Sequence, residues 1–421
     1  MSTRTTAPPD GGAEHAANTA LAEILFSPEG RTDPYARYHR LREAVPVHRS
    51  PLGIWVLSRY DDVFEALRDK RVGKDVYTFL SGRFNGEWEQ HAALRKLATS
   101  MLWADPPEHT RLRRIINQAF TARRVMAHQA FIVRKVDELI EPFAEAGGGD
   151  ICNDFCYLLP ISVVAGLVGV PQEEAPLLRE PIRNFQRTFE LGMTALELRV
   201  ADEGAAFLDD YFGALVRHKR RRPGDDLLSA LIVAEDEDPL DDLELAGICH
   251  MLIAAGSETA THFLNNGIRL FIDHPDQADL VRADPGLLRG AIEEVLRFDP
   301  PVHMLPRTVG EPLEIGGVEI PEGSRMMMLI AAANRDPARF TNPDVFDVTR
   351  DEGMSISFGA GIHGCPGWRL ARLQAETVFS TLLQRFPHLE ITEPPRPQPR
   401  VTLPGLEALH IRTGSTPGEA R

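Results

Sequence analysis

A chain of 421 residues, 43% of them hydrophobic, carries enough apolar material for one large core or two to three smaller ones. Its 61 acidic against 46 basic side chains, a formal charge of -15, argue against general nucleic-acid binding, which needs a basic face. Four scattered cysteines are too few for a disulfide framework, and no apolar run reaches the ~18 residues a membrane span needs. A soluble, cytoplasmic protein with neither nucleic-acid nor membrane partners is expected.

In chain order, Met1 to Asn18 is polar and has no signal-peptide apolar core, so a disordered tail over residues 1–20 is predicted. Pro34 to Glu43 reads as a helix. Val45 to Arg49 and Ile54 to Ser58 flank Pro51-Leu52-Gly53 as a hairpin, and Asp61 to Arg68 returns to helix. From Arg71 to Asp105 regular pattern fades while bulky apolar residues persist, which predicts a functional loop. Helices resume over Pro107–Arg123 and Val125–Glu145. Cys152 and Cys156 sit in an apolar stretch without a partner pair and read as buried small residues. Two helices are expected between Ala175 and Lys219. Leu243 to Asp273 is helix-compatible throughout, ~45 Å if straight, capped by Asp241 or Asp242 and ended by His274-Pro275. A helix so long and apolar on most faces belongs in the middle of a molecule. Gly286 to Phe298 is a helix, Leu313 to Ile320 a hairpin around Gly316-Gly317, and Met326 to Ala331 a strand. The fold class is mainly α (α+β) with a small β-rich region. With no strong linker, one domain over residues 21–412 is predicted, followed by a tail over 413–421.

Four constellations carry chemistry. In Phe358-Gly-Ala-Gly361-Ile-His363-Gly-Cys365-Pro-Gly367, glycines let the backbone approach a flat ligand. Pro366 then suits the first turn of a helix. Cys365 thus stands just ahead of a helix N-terminus, where the dipole favours thiolate, so it is a metal ligand or a nucleophile. A zinc site lacks further nearby ligands; a nucleophile with His363 as base stays open. Ala255-Gly256-Ser257-Glu258-Thr259 interrupts the long helix with a costly glycine, a carboxylate in an apolar setting, and a hydroxyl able to bond the Ala255 carbonyl. The competing reading is a plain helix contact at Gly256 with Glu258 in solvent. Glu294 and Arg297 form an i,i+3 pair, by itself a weak signal of an exposed helix. His109 and Arg113 share one helical face and offer a cationic fork for an anion.

Together these motifs, in this order and over nearly the whole chain, resemble the cytochrome P450 family, in particular its soluble bacterial members. The resemblance implies haem b (iron protoporphyrin IX) as cofactor, with Cys365 as proximal thiolate and metal ligand in a signature formed by Phe358, Gly361, Cys365 and Gly367. It further implies that His109, Arg113, Arg307 and His363 pair with the haem carboxylates. Ala255 and Gly256 would lie at the haem, with Glu258 and Thr259 delivering protons during oxygen activation. Glu294, Arg297 and Arg350 would form a structural charge triad. Substrate contacts would come from Leu80, Phe84, Leu102, Phe185, Leu252, Val302, Met304, Leu305 and Leu406.

The expected function is a monooxygenase inserting one atom of O2 into a hydrophobic small molecule by hydroxylation or epoxidation, in secondary-metabolite tailoring. A monomer is expected, with a separate ferredoxin-type electron donor docked on Arg111, Arg114, Arg369 and Arg372 on the cysteine side. The alternatives are a peroxide-driven peroxygenase of the same fold, a non-catalytic haem protein and a cysteine hydrolase. Two departures from the commonest family pattern, Ser355 and Trp368, leave the chemistry untouched.

Overall fold

The computed structural model describes residues 11–84, 86–190, 192–233 and 240–414. Contacts divide the chain into two compact, interleaved units: Met1–Asp75 with Asn266–Cys365 and Pro397–Gly405, and Val76–Asn265 with Pro366–Arg396 and Leu406–Arg421.

The first unit holds the larger sheet. Val47–Arg49 pairs antiparallel with Ile54–Leu57, the two ends of the expected hairpin. Ile54–Leu57 runs parallel to Arg325–Leu329, which pairs antiparallel with Met304–Val309, and Val72–Gly73 closes the other edge. The strand expected over Met326–Ala331 stops at Leu329, and Ile330–Ala333 forms a helical turn. One face of the sheet buries Val47, Leu57, Met326 and Met328 against Val63, Ala66 and Leu67 of the helix Tyr60–Arg68. The hairpin Leu313–Ile320 forms as expected, in register Leu313 to Ile320.

The N-terminal expectation needs correction. Gly11–Phe26 is a helix that buries Ala17, Ala20, Leu21 and Ile24, a stripe at helical spacing that its small alanines hid. Glu23 on this helix accepts from Arg37 at 3.1 Å and also pairs with Arg40. Residues 1–10 of the predicted tail, and 415–421 at the other end, lie outside the described residues.

The second unit is built on helices, with a three-stranded sheet in which His410–Thr413 lies between Gly148–Asp150 and Leu389–Ile391. The stretch read as a loop from Arg71 to Asp105 instead forms the helices Val76–Phe84 and Ala92–Ala98, separated by a 3-10 turn at Glu87–Gln90. Each is under three turns, and Gly86 between them takes a left-handed φ of 80°, so no window is long enough to show a period. The long helix runs Asp242–Asp273, and its residues up to Asn265 belong to this unit. A reciprocal cap opens it: the Glu244 N–H donates to Asp241 Oδ1 at 2.8 Å and the Asp241 N–H to Glu244 Oε2 at 3.0 Å. Leu245, Ile253, Phe263 and Leu264 are all buried, as expected of a helix in the middle of its unit. Cys152 and Cys156 are buried, and the Asn265 amide donates to Cys152 Sγ at 3.1 Å. Among the described residues, no helix is long and apolar enough to cross a membrane, and no cluster of His, Cys, Asp and Glu is arranged to hold a metal ion.

Candidate active site

In the first unit, the loop before Cys365 is folded back on itself. The Gly359 N–H donates to the Ile356 carbonyl at 2.8 Å, Gly364 to Gly361 at 3.2 Å, and Cys365 to Phe358 at 2.8 Å. Gly359 and Gly361 adopt φ of 69° and 68°, and a Cβ on Gly361 would stand 2.3 Å from the Leu67 carbonyl oxygen. Only glycine permits both that angle and that approach. Cys152, Cys156 and Cys249 are buried, whereas Cys365 is half-exposed. Burial raises the Cys152 thiol to about 11 and pushes Cys156 and Cys249 upward as well, so those three stay protonated. Arg307 and His363 lie in this unit, Arg307 buried with Nη1 donating to the Pro306 carbonyl at 2.8 Å.

Glu294 and Arg297 are not the exposed helix pair their spacing alone suggested. Both are buried, and Arg297 forks onto the carboxylate while donating to the carbonyls of Asn334, Pro343 and Val345. Arg350 Nε reaches Glu294 Oε1 at 3.2 Å, which completes a three-residue charge cluster. Val302, Met304 and Leu305 also belong to this unit, Met304 buried in the sheet.

In the second unit the long helix carries a run of hydroxyls. Ser257 donates to Ile253 O at 2.7 Å, Thr259 to Ala255 O at 2.8 Å, and Thr261 to Ser257 O at 2.9 Å. Every second residue thus bonds back one turn. Gly256 meets a neighbouring helix: a Cβ there would stand 3.1 Å from Val164 Cγ2. That half of the plain-contact reading holds, but Glu258 is 2% exposed rather than in solvent. One turn on, His262 Nε2 lies 3.8 Å from Glu258 Oε1. The Tyr157 phenol is pushed up, by burial first and then by the Glu258 charge.

His109 is buried on the helix Glu108–Ala119, with Arg113 one turn further on. Arg111 is committed to Glu108, Nη2 to Oε1 at 2.7 Å, and to Glu244. That removes it from the basic docking face the sequence suggested. Arg369 and Arg372 both stack on Trp368, at 4.1 and 4.8 Å from the ring centroid. The helix Trp368–Arg385 begins directly after Gly367, which serves as its N-cap.

A small cavity, open to solvent on one side, lies in this unit among Leu102, Phe185, Phe189, Met251, Ala254 and Ala255. It gathers Leu102, Phe185 and Ala255 of the expected residues. Leu252 on the same helix is buried away from its wall, and Leu80, Phe84 and Leu406 do not line it. Lys96 and His250 do line it, and sequence reasoning missed both. The available signal was His250 in an apolar run, two turns before Glu258 on the same helical face.

Residues 198–411 match the family model described as cytochrome P450. The chain is 37% identical over 404 residues to cytochrome P450 107B1 of Saccharopolyspora erythraea, covering 93% of this chain and 98% of that protein. It is 38% identical over 387 residues to 6-deoxyerythronolide B hydroxylase of the same organism, covering 87% and 92%. Among solved structures, the bacillaene polyketide synthase cytochrome P450 PksS of Bacillus subtilis 168 superposes with a TM-score of 0.82 at 30% identity, over 92% of this chain and 98% of that one. A hairpin-edged sheet, a hydroxyl-laden central helix and a glycine-bound cysteine loop thus occur together in a chain that belongs to the cytochrome P450 family.

Proposed function

We propose that this cytochrome P450 monooxygenase hydroxylates or epoxidises an apolar small molecule in secondary-metabolite tailoring, with electrons from a separate ferredoxin-type donor. Haem is the family's cofactor, and the residues present suit it. The cysteine loop offers the one half-exposed sulfur of the four, on a backbone that two left-handed glycines leave without side chains. Cys365 would hold the iron through its thiolate, with Phe358, Gly361 and Gly367 shaping the loop around it. His109, Arg113, Arg307 and His363 would pair with the carboxylates of the group. When bound, haem supplies the redox chemistry that activates dioxygen and transfers one oxygen atom.

The protein's own part is proton management and positioning. The Thr259 hydroxyl donates to the Ala255 carbonyl, which holds its oxygen in one orientation with lone pairs left to accept a proton or a water. Glu258 beside it in sequence keeps a carboxyl out of bulk water and able to resupply that hydroxyl. This acid–alcohol pair is the observation that carries the reading. A peroxide-driven enzyme or a haem carrier has no use for it. The hydroxylase relative supports insertion chemistry, and the polyketide-synthase relative supports a secondary-metabolite substrate.

The test is turnover under isotopically labelled dioxygen with NADPH, ferredoxin and reductase, using apolar molecules selected by their shift of the haem spin state. One labelled oxygen atom in the product supports the proposal; turnover faster with peroxide than with dioxygen and electrons overturns it. Arg369→Glu with Arg372→Glu is expected to slow reduction by ferredoxin at low salt.

A further inference from the structure

We propose that His250 sets substrate specificity by accepting a hydrogen bond from a hydroxyl group on an otherwise apolar molecule held in the cavity beside Phe185 and Met251. The inference rests on the monooxygenase reading above and gives its substrate a chemical feature. His250 is 1% exposed, it lines the cavity, and neither ring nitrogen has a hydrogen-bond partner. Buried polar atoms are almost always bonded, so a cavity-lining imidazole whose two nitrogens are both buried and unsatisfied marks a place where a ligand completes the site. The ring is held in position by aromatic neighbours: Phe185 edge-on at 4.4 Å and Phe212 stacked at 6.3 Å.

The surrounding charges select the kind of partner. Asp209 lies 3.8 Å from Nδ1 and is itself paired with Lys96, Nζ to Oδ1 at 2.7 Å. The carboxylate favours the tautomer with the proton on Nδ1, which leaves Nε2 as an acceptor. Burial keeps the imidazole neutral, lowering its pKa against the opposing pull of Asp209. Lys96 and Asp209 cancel each other, so the wall carries no net charge to balance an ammonium or a carboxylate on the ligand. What remains is a neutral donor: a hydroxyl.

The experiment compares two isomers of equal size, n-nonanol and methyl n-octyl ether, by calorimetric titration of the haem-loaded protein. Only the alcohol donates a hydrogen bond. The wild type is expected to bind the alcohol about three- to tenfold more tightly. H250L is expected to abolish that preference by weakening the alcohol alone, and H250Q, whose amide oxygen still accepts, to keep part of it. Equal binding of the two isomers by the wild type, binding of neither, or an undiminished preference in H250L overturns the proposal. The carbon monoxide spectrum of each protein reports separately on haem and fold, so failure of the monooxygenase reading is distinguishable from failure of this one.

Discussion

Arg297 grips Glu294 one turn along the same helix, Nε to Oε2 at 2.7 Å and Nη2 to Oε1 at 2.8 Å, with both side chains almost wholly buried. The guanidinium also satisfies three backbone carbonyls, so it ties the helix to the 334–345 segment. Removing it leaves a buried carboxylate with only the longer Arg350 contact and one neutral hydrogen bond from the Asp347 N–H at 2.9 Å. Arg297→Ala is therefore expected to lose roughly 3–5 kcal/mol in urea unfolding. Arg297→Lys should lose nearly as much, because an ammonium cannot fork. A loss below about 1 kcal/mol would remove the pair's structural role.

Two glycines should respond oppositely to alanine. At Gly361 a Cβ meets backbone, at 2.3 Å and with φ at 68°, and the backbone cannot yield cheaply. Gly361→Ala should cost at least about 1–3 kcal/mol and impair haem retention. At Gly256 the obstacle is a Val164 methyl at 3.1 Å, which can shift a few tenths of an ångström. There the helix preference for alanine, about 1 kcal/mol, offsets the crowding, so Gly256→Ala should unfold close to wild type. Equal losses at both sites would contradict this.

Stability should fall as pH rises into the alkaline range. Burial, then Asp150, raises the Cys152 thiol from 9.0 to about 11. In the unfolded chain the thiol ionises near its ordinary value, while the folded protein still holds the proton. Folding therefore loses stability from about pH 9 until the folded thiol itself titrates near 11. Cys156 and Cys249 shift the same way and extend the decline. Cys152→Ala should flatten the slope over that window by roughly 2–3 kcal/mol in total. Unfolding midpoints measured from about pH 8 upward check it; an unchanged slope would show that the thiol is already hydrated.

Thr259→Ala removes the hydroxyl donated to Ala255 O, leaving the helix backbone intact. Product formed per electron should drop by on the order of tenfold or more while peroxide release rises, because proton delivery rather than binding is lost. Thermal stability and the carbon monoxide spectrum should stay as in wild type. Unchanged coupling would assign oxygen activation to other groups.

The motifs that carry chemistry were legible because they depend on local spacing. The hydroxyl four residues after Ala255, the left-handed Gly361 and the capped start of the long helix all follow from neighbours in sequence. Pairing at a distance was not legible. Glu294 and Arg297 read as a surface pair because nothing in the helix reveals that the 334–345 carbonyls enclose them. The helix Gly11–Phe26 was hidden by alanines, whose burial depends on a partner surface rather than on their own hydrophobicity. His250 was overlooked because the Lys96–Asp209 pair beside it comes from two other helices.

The central claim is that Cys365 ligates haem iron through its thiolate. The direct measurement is the absorption spectrum of purified, haem-loaded protein reduced with dithionite under carbon monoxide, taken beside Cys365→Ala. A strongly red-shifted Soret band in the wild type, absent from the variant, is the predicted result. A band at the unshifted position in the wild type, or the same shifted band in the variant, would contradict the account.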